Sequence, residues 1–183
     1  MLQLTMKIPL FKDGNPLNMP DEMHEIELSH PQAAQMAIEN VASQADDTYF
    51  DASLEIRIDD KQFFKQFTTD AFGLWDSLLC AIEAPGKHHI TFLDYLQDLT
   101  IIHSETYEFL YVHTDYEGDN DCLVSMTKKV VSSGPLPKTA VEVAIKESFK
   151  QYADFILQYH IPIAEWHKRE IEQRKQELLK DEM

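Results

Sequence analysis

The chain has 183 residues, 44% of them apolar, and carries thirty-two acidic against sixteen basic residues, a formal charge of −16. That apolar share excludes a disordered chain, and the length suffices for one domain with a sizeable core. The charge excludes a surface built to hold nucleic acid or an anionic membrane, and it would steer a basic partner inward.

The excess is uneven. Residues 1–60 hold twelve acids and three bases, residues 61–137 eleven and five, and residues 138–183 nine and eight, so the C-terminal quarter is nearly balanced. The first segment, MLQLTMKIPLFKDG, has neither the basic start nor the apolar block of a signal peptide. No run reaches the apolar length of a membrane span. Two cysteines, Cys80 and Cys122, in a chain of this length fit buried thiols in a reducing, cytoplasmic setting.

Leu2, Leu4, Met6, Ile8 and Leu10 alternate with more polar residues, which predicts a half-buried strand. Lys12-Asp13-Gly14-Asn15-Pro16 ends it in a cluster of turn formers. A short strand around His24–Leu28 and a helix entered at Ser29-His30-Pro31 follow, with Ala34, Ala37, Ile38, Val41 and Ala45 as the buried stripe. Phe50, Ala52, Leu54, Ile56 and Ile58 then alternate with Asp51, Ser53, Glu55, Arg57 and Asp59. This predicts a strand with one dry face and one wet, mostly acidic face.

KQFFKQF gives no clear period. TTDAFGLWDSLLCAIEAPG reads as a helix capped by Thr69 or Asp70 and ended by Pro85-Gly86, with Trp75 in its apolar face. Strands at His88–Asp94, Leu99–Ser104, Tyr107–Thr114 and Cys122–Val131 are closely spaced, as in an antiparallel meander. A long helix from about Thr139 buries Val141, Ile145, Phe149, Tyr152 and Ile156. Pro162 breaks it, and a charged helix follows in which Trp166 closes the end of the core or anchors a partner. The prediction is an α+β fold: an antiparallel sheet of five to six strands covered by helices, forming one domain over 1–160, with a charged helical extension over 161–183 that projects or supplies a contact surface.

The stretch VHTDYEGDND, Val112–Asp121, crowds four carboxylates around one glycine. A calcium loop needs glycine at its sixth position and glutamate at its twelfth. Counted from Asp115 those positions are Asn120 and Met126, and counting from Asp119 places no glycine at the sixth. The stretch is therefore expected to be a partner-facing acidic hairpin loop, with Gly118 or Asn120 at positive φ. The eight histidines include no i,i+4 pair, and His88 and His89 are adjacent, so neither metal nor cofactor is expected. No nucleophile elbow and no phosphate loop occurs.

From about residue 49 to 160 the order is strand, helix with an FGLWDSLL face, three or four strands, acidic loop and long helix. This layout, with its size and acidity, resembles small acidic bacterial immunity proteins, the antidotes of contact-dependent or polymorphic toxin systems. The resemblance implies a non-enzymatic inhibitor that occludes a cognate, basic, often nuclease toxin without touching nucleic acid or membrane. It implies contact through Asp115, Tyr116, Glu117, Asp119 and Asp121, with Asp51, Glu55 and Asp59 as a second patch. The competing readings are a nucleic-acid mimic that inhibits a DNA-binding protein, a small metal-dependent enzyme using His88, His89 or His103, and a subunit that dimerises through 163–180.

Overall fold

In the computed structural model, residues 1–9, 25–44, 49–92, 99–119 and 122–180 are described, with side chains omitted at 114–119 and 122–126. The fold is α+β. Eight strands, β1 (Leu2–Pro9), β2 (Glu25–Glu27), β3 (Ala52–Ile58), β4 (Lys61–Thr68), β5 (Gly86–Ile90), β6 (Leu99–His103), β7 (Tyr107–Asp119) and β8 (Cys122–Leu136), divide between two sheets. Four helices accompany them: α1 (Ala33–Ser43), α2 (Ala71–Glu83), α3 (Lys138–Gln158) and α4 (Glu165–Lys180). The first sheet has the antiparallel order β2-β1-β3-β4, and the second runs β5-β6-β7-β8 as the expected meander.

Two four-stranded sheets stand in place of the single sheet of five to six strands expected, and the strand that the period did not announce is KQFFKQF, which pairs with β3 as β4. Its period is blurred because the register shifts between Ile56 and Arg57, and one added residue reverses the alternation of a strand. The hairpin turns on Asp59 and Asp60, both at positive φ, a conformation that Asp tolerates better than bulky residues. The turn expected at 12–16 lies outside the described residues.

The alternation of β1 and β3 puts Leu4, Met6, Ile8, Leu54 and Ile56 on one face, and the helices bury it. Trp75 is wholly buried there, its indole N–H directed at the Met6 sulfur and its ring stacked on Tyr152. Asp70 caps α2 by accepting the Gly73 N–H at 2.8 Å. One hydrophobic cluster runs on into the second sheet through Ile90, Leu99, Ile101, Tyr107 and Phe109.

The charged helix does not project. α4 lays His167, Ile171 and Leu178 into the core cluster's flank, and Arg174 bridges to Asp76 at 3.0 Å and Glu83 at 3.1 Å on α2. Its three buried residues fall four and seven apart, a narrow stripe that a charged sequence hides. Trp166 does not close the core. It stays 51% exposed, and Ile161, Ile163 and His167 fill that place.

Candidate functional site

The Asp51, Glu55 and Asp59 patch is corrected by the structure. Asp51, Ser53 and Glu55 do share the second face of β3, but that face is buried, with Asp51 and Glu55 each 4% exposed. The neighbouring strands supply the charges that make burial tolerable. Glu55 takes an ion pair from Lys7 of β1 and a 2.9 Å hydrogen bond from Arg57, and Lys65 of β4 meets Glu25 of β2 at 2.7 Å. Asp51 accepts the Gln44 side-chain N–H at 2.6 Å. Burial raises the Glu55 carboxyl, and the hydrogen bonds and charges of Lys7 and Arg57 outweigh it, so the carboxyl sits below its ordinary range. Of the three acids only Asp59 is open to water, and it pairs with the amino group of Met1. The patch is thus a charge-satisfied interior face. Its sequence signal was the opposite charge at register-matched positions, Lys65 opposite Glu55 and Lys7 opposite Ser53, which needs the strand pairing to be read.

The acidic stretch from Asp115 stands in a different setting from the one expected. β7 continues through Asp119, so Asp115, Tyr116, Glu117 and Asp119 lie along a strand and not in a loop. Asp121 lies outside the described residues. β6 leaves β7 after the pair Leu99↔Tyr111, whereas β8 follows β7 to the pair Asp119↔Cys122. Among the described residues, 112–119 and their β8 partners therefore form a two-stranded arm, roughly 27 Å long at the usual strand rise. The register pairs Tyr116 with Met126 and Glu117 with Ser125, then shifts between Glu117 and Gly118.

At the root of the arm Val112 pairs with Val130, and these apolar residues are 39% and 65% exposed. Both strands of the next pair are exposed as well, His113 with Lys129. On the other side of the root, Tyr111 turns inward and packs edge-on against Phe63 and Phe64 of β4, centroids 5.3 and 5.4 Å away. The root is thereby braced on the first sheet while the valine pair faces water. Sequence reading passed over this pair, because Val112 and Val130 sit inside stretches that read as ordinary half-buried strands.

His88, His89 and His103 make local contacts. His88 Nε2 and His103 Nδ1 each lie 2.9 Å from the Ala84 carbonyl at the end of α2, and His89 Nδ1 lies 3.2 Å from Thr100 Oγ1. Among the described residues no group of three or more His, Cys, Asp or Glu is placed to hold a metal ion. Between α2 and α4 a groove of about 300 Å³ is lined by Phe72, Asp76, Arg174 and Glu177, whose charges engage one another. Cys80 lies beside it. Burial and the Asp76 and Glu83 carboxylates raise its thiol above the ordinary range, so it is a poor nucleophile. No described helix is long and apolar enough to cross a membrane.

Compared with protein-family models, with curated proteins and with solved structures, the chain finds no match.

Proposed function

We propose that this chain is a protein-binding antidote that neutralises a cognate basic protein, in the manner of an immunity protein, by seating its β7–β8 arm on that protein's working surface. The observation that carries the reading is the arm itself, a two-stranded projection with an exposed apolar pair at its root. The exposed valines supply the dehydrated centre that binding energy needs, and Tyr116, further along β7, is the candidate aromatic anchor. Asp115, Glu117 and Asp119 along the arm, backed by a chain charge of −16, supply steering and pairing. The protein then acts by occlusion, with no reaction of its own, in the cytoplasm of the cell it protects.

The test is capture with tagged protein at low and high salt, followed by reconstitution of each captured basic protein in purified form. The expected result is one basic partner that binds stoichiometrically, loses affinity as salt rises, and loses its toxic activity in the complex. The double variant V112K/V130K should weaken that complex by on the order of a hundredfold, the cost of about two well-buried contacts. No basic partner at either salt, or a complex indifferent to V112K/V130K, overturns the proposal.

A further inference from the structure

β8 is the outer strand of its sheet, and among the described residues no strand pairs with its second edge. Residues 127–130 are exposed in unbroken succession, so neither face of this stretch is covered. Lys128 and Lys129 stand there with no ion pair among the described residues, in a chain with twice as many acids as bases. A bare edge is a template for another strand, and edge lysines ordinarily guard it because an incoming strand brings nothing of opposite sign. This chain carries its own counter-charge close by. Glu108 of β7 accepts the Ser132 hydroxyl at 2.5 Å, and no cation meets it among the described residues. Its carboxylate stands over β8 at Ser132, about 13 Å along the strand from Lys128 of the same chain and out of that side chain's reach.

A second copy supplies the missing cation. Two identical strands that meet edge to edge are related by a two-fold axis. Alternate residues turn their backbone groups outward, so in an antiparallel pair that axis passes through a residue. An axis at Lys128 or Lys129 sets that lysine against its own copy, and like charges directly opposite destabilise a sheet. An axis at Val131 or Ser132 draws the register shift of β8 into the pairing, where Gly134 is held at φ 68°. The axis at Val130 avoids both. It places Lys129 opposite Val131, and Lys128 opposite Ser132 at a strand spacing of about 4.8 Å, within a lysine's reach of the Glu108 carboxylate. Because Val112 pairs with Val130 in β7, the valines of both copies then fall in one row across the seam.

We propose that the Lys128–Ser132 edge of β8 pairs antiparallel with the same edge of a second copy about Val130, fixed in register by reciprocal Lys128–Glu108 ion pairs. The two β5-β6-β7-β8 sheets become one across the axis, and the exposed valine row doubles in length. The dimer goes beyond the antidote reading and needs no other protein.

Sedimentation equilibrium of the purified full chain tests this with no partner present, so its failure is separable from failure of the antidote reading. The expected result is a monomer–dimer equilibrium. E108K and K128E each set like charges together twice across the axis and should weaken the dimer by on the order of tenfold. The double variant E108K/K128E keeps the net charge of the wild type and should restore the affinity to within about threefold. Thermal melts of the dilute variants check that they fold. A reading that needs no variant is amide exchange by NMR, which should slow within 128–132 as the wild-type concentration rises. A chain monomeric up to about 1 mM, a dimer indifferent to K128E, or a double variant no tighter than the single ones each overturns the proposal.

Discussion

Replacing Glu55 with Gln tests the interior charge network most directly. Glu55 is 4% exposed and holds two cations, whereas the side chains of Lys7 and Arg57 keep 20% and 40% of their exposure. Removing one partner of a fully buried pair costs about 3–5 kcal/mol. Here the orphaned cations can turn to water and Gln preserves the volume, so the loss should fall to about 2 kcal/mol at neutral pH. For a chain of this size that corresponds to a drop in Tm of roughly 4–8 °C. The pH dependence has a definite sign. The folded carboxyl lies below its ordinary range, so its contribution is complete above the unfolded pKa, shrinks below that value, and vanishes once pH falls through the folded pKa. Urea unfolding of wild type and E55Q should therefore show a constant gap from neutral pH down to about pH 4.3, closing in stronger acid. Equal stability at neutral pH, or a gap that widens in acid, would refute the account.

Three other perturbations probe separate parts of the fold. The Tyr152 hydroxyl is buried with no hydrogen-bond partner, and burial pushes its phenol far above the ordinary range. Tyr152→Phe should leave stability unchanged or raise it by up to about 1 kcal/mol in a thermal melt, and a clear loss would mean the hydroxyl is satisfied. Asp70→Ala removes the α2 cap, and a Cβ at Gly73 would lie 2.3 Å from Asp70 Oδ2. Each of D70A and G73A should cost about 1 kcal/mol, and the double variant should cost clearly less than their sum in urea unfolding, because both break one hydrogen bond. Arg174→Ala should speed amide exchange along α4 by on the order of tenfold while leaving β3 unchanged, and uniform acceleration would show that α4 is not a separable unit.

The elements were largely legible in the chain. The period of two over Leu2–Ile8 and over Ala52–Ile58, the Asp70 cap before Ala71, and the i,i+4 stripe of Val141, Ile145 and Phe149 are local properties, and local steric and capping rules set them. The closely spaced strands after α2 likewise announced an antiparallel meander. What a period of two cannot say is whether the second face of a strand is wet. Asp51 and Glu55 read as solvent-facing because acids usually are, and only the tertiary structure brings Lys7 of β1 onto Glu55, beside Arg57 of the same strand, and the Gln44 side chain onto Asp51.

The candidate site shows the same division. Sequence determined that Val112–Asp121 would be acidic, turn back in a hairpin and carry no calcium-loop spacing. Tertiary structure decided that Asp115, Glu117 and Asp119 stand along an arm, because among the described residues β6 pairs with β7 no further than Leu99↔Tyr111 while β8 keeps pairing to Asp119↔Cys122. It also decided that Val112 and Val130 face water while Tyr111 turns to Phe63 and Phe64. Strand lengths come from local preference, but which strands overlap, and for how far, is settled by long-range pairing that no local pattern encodes.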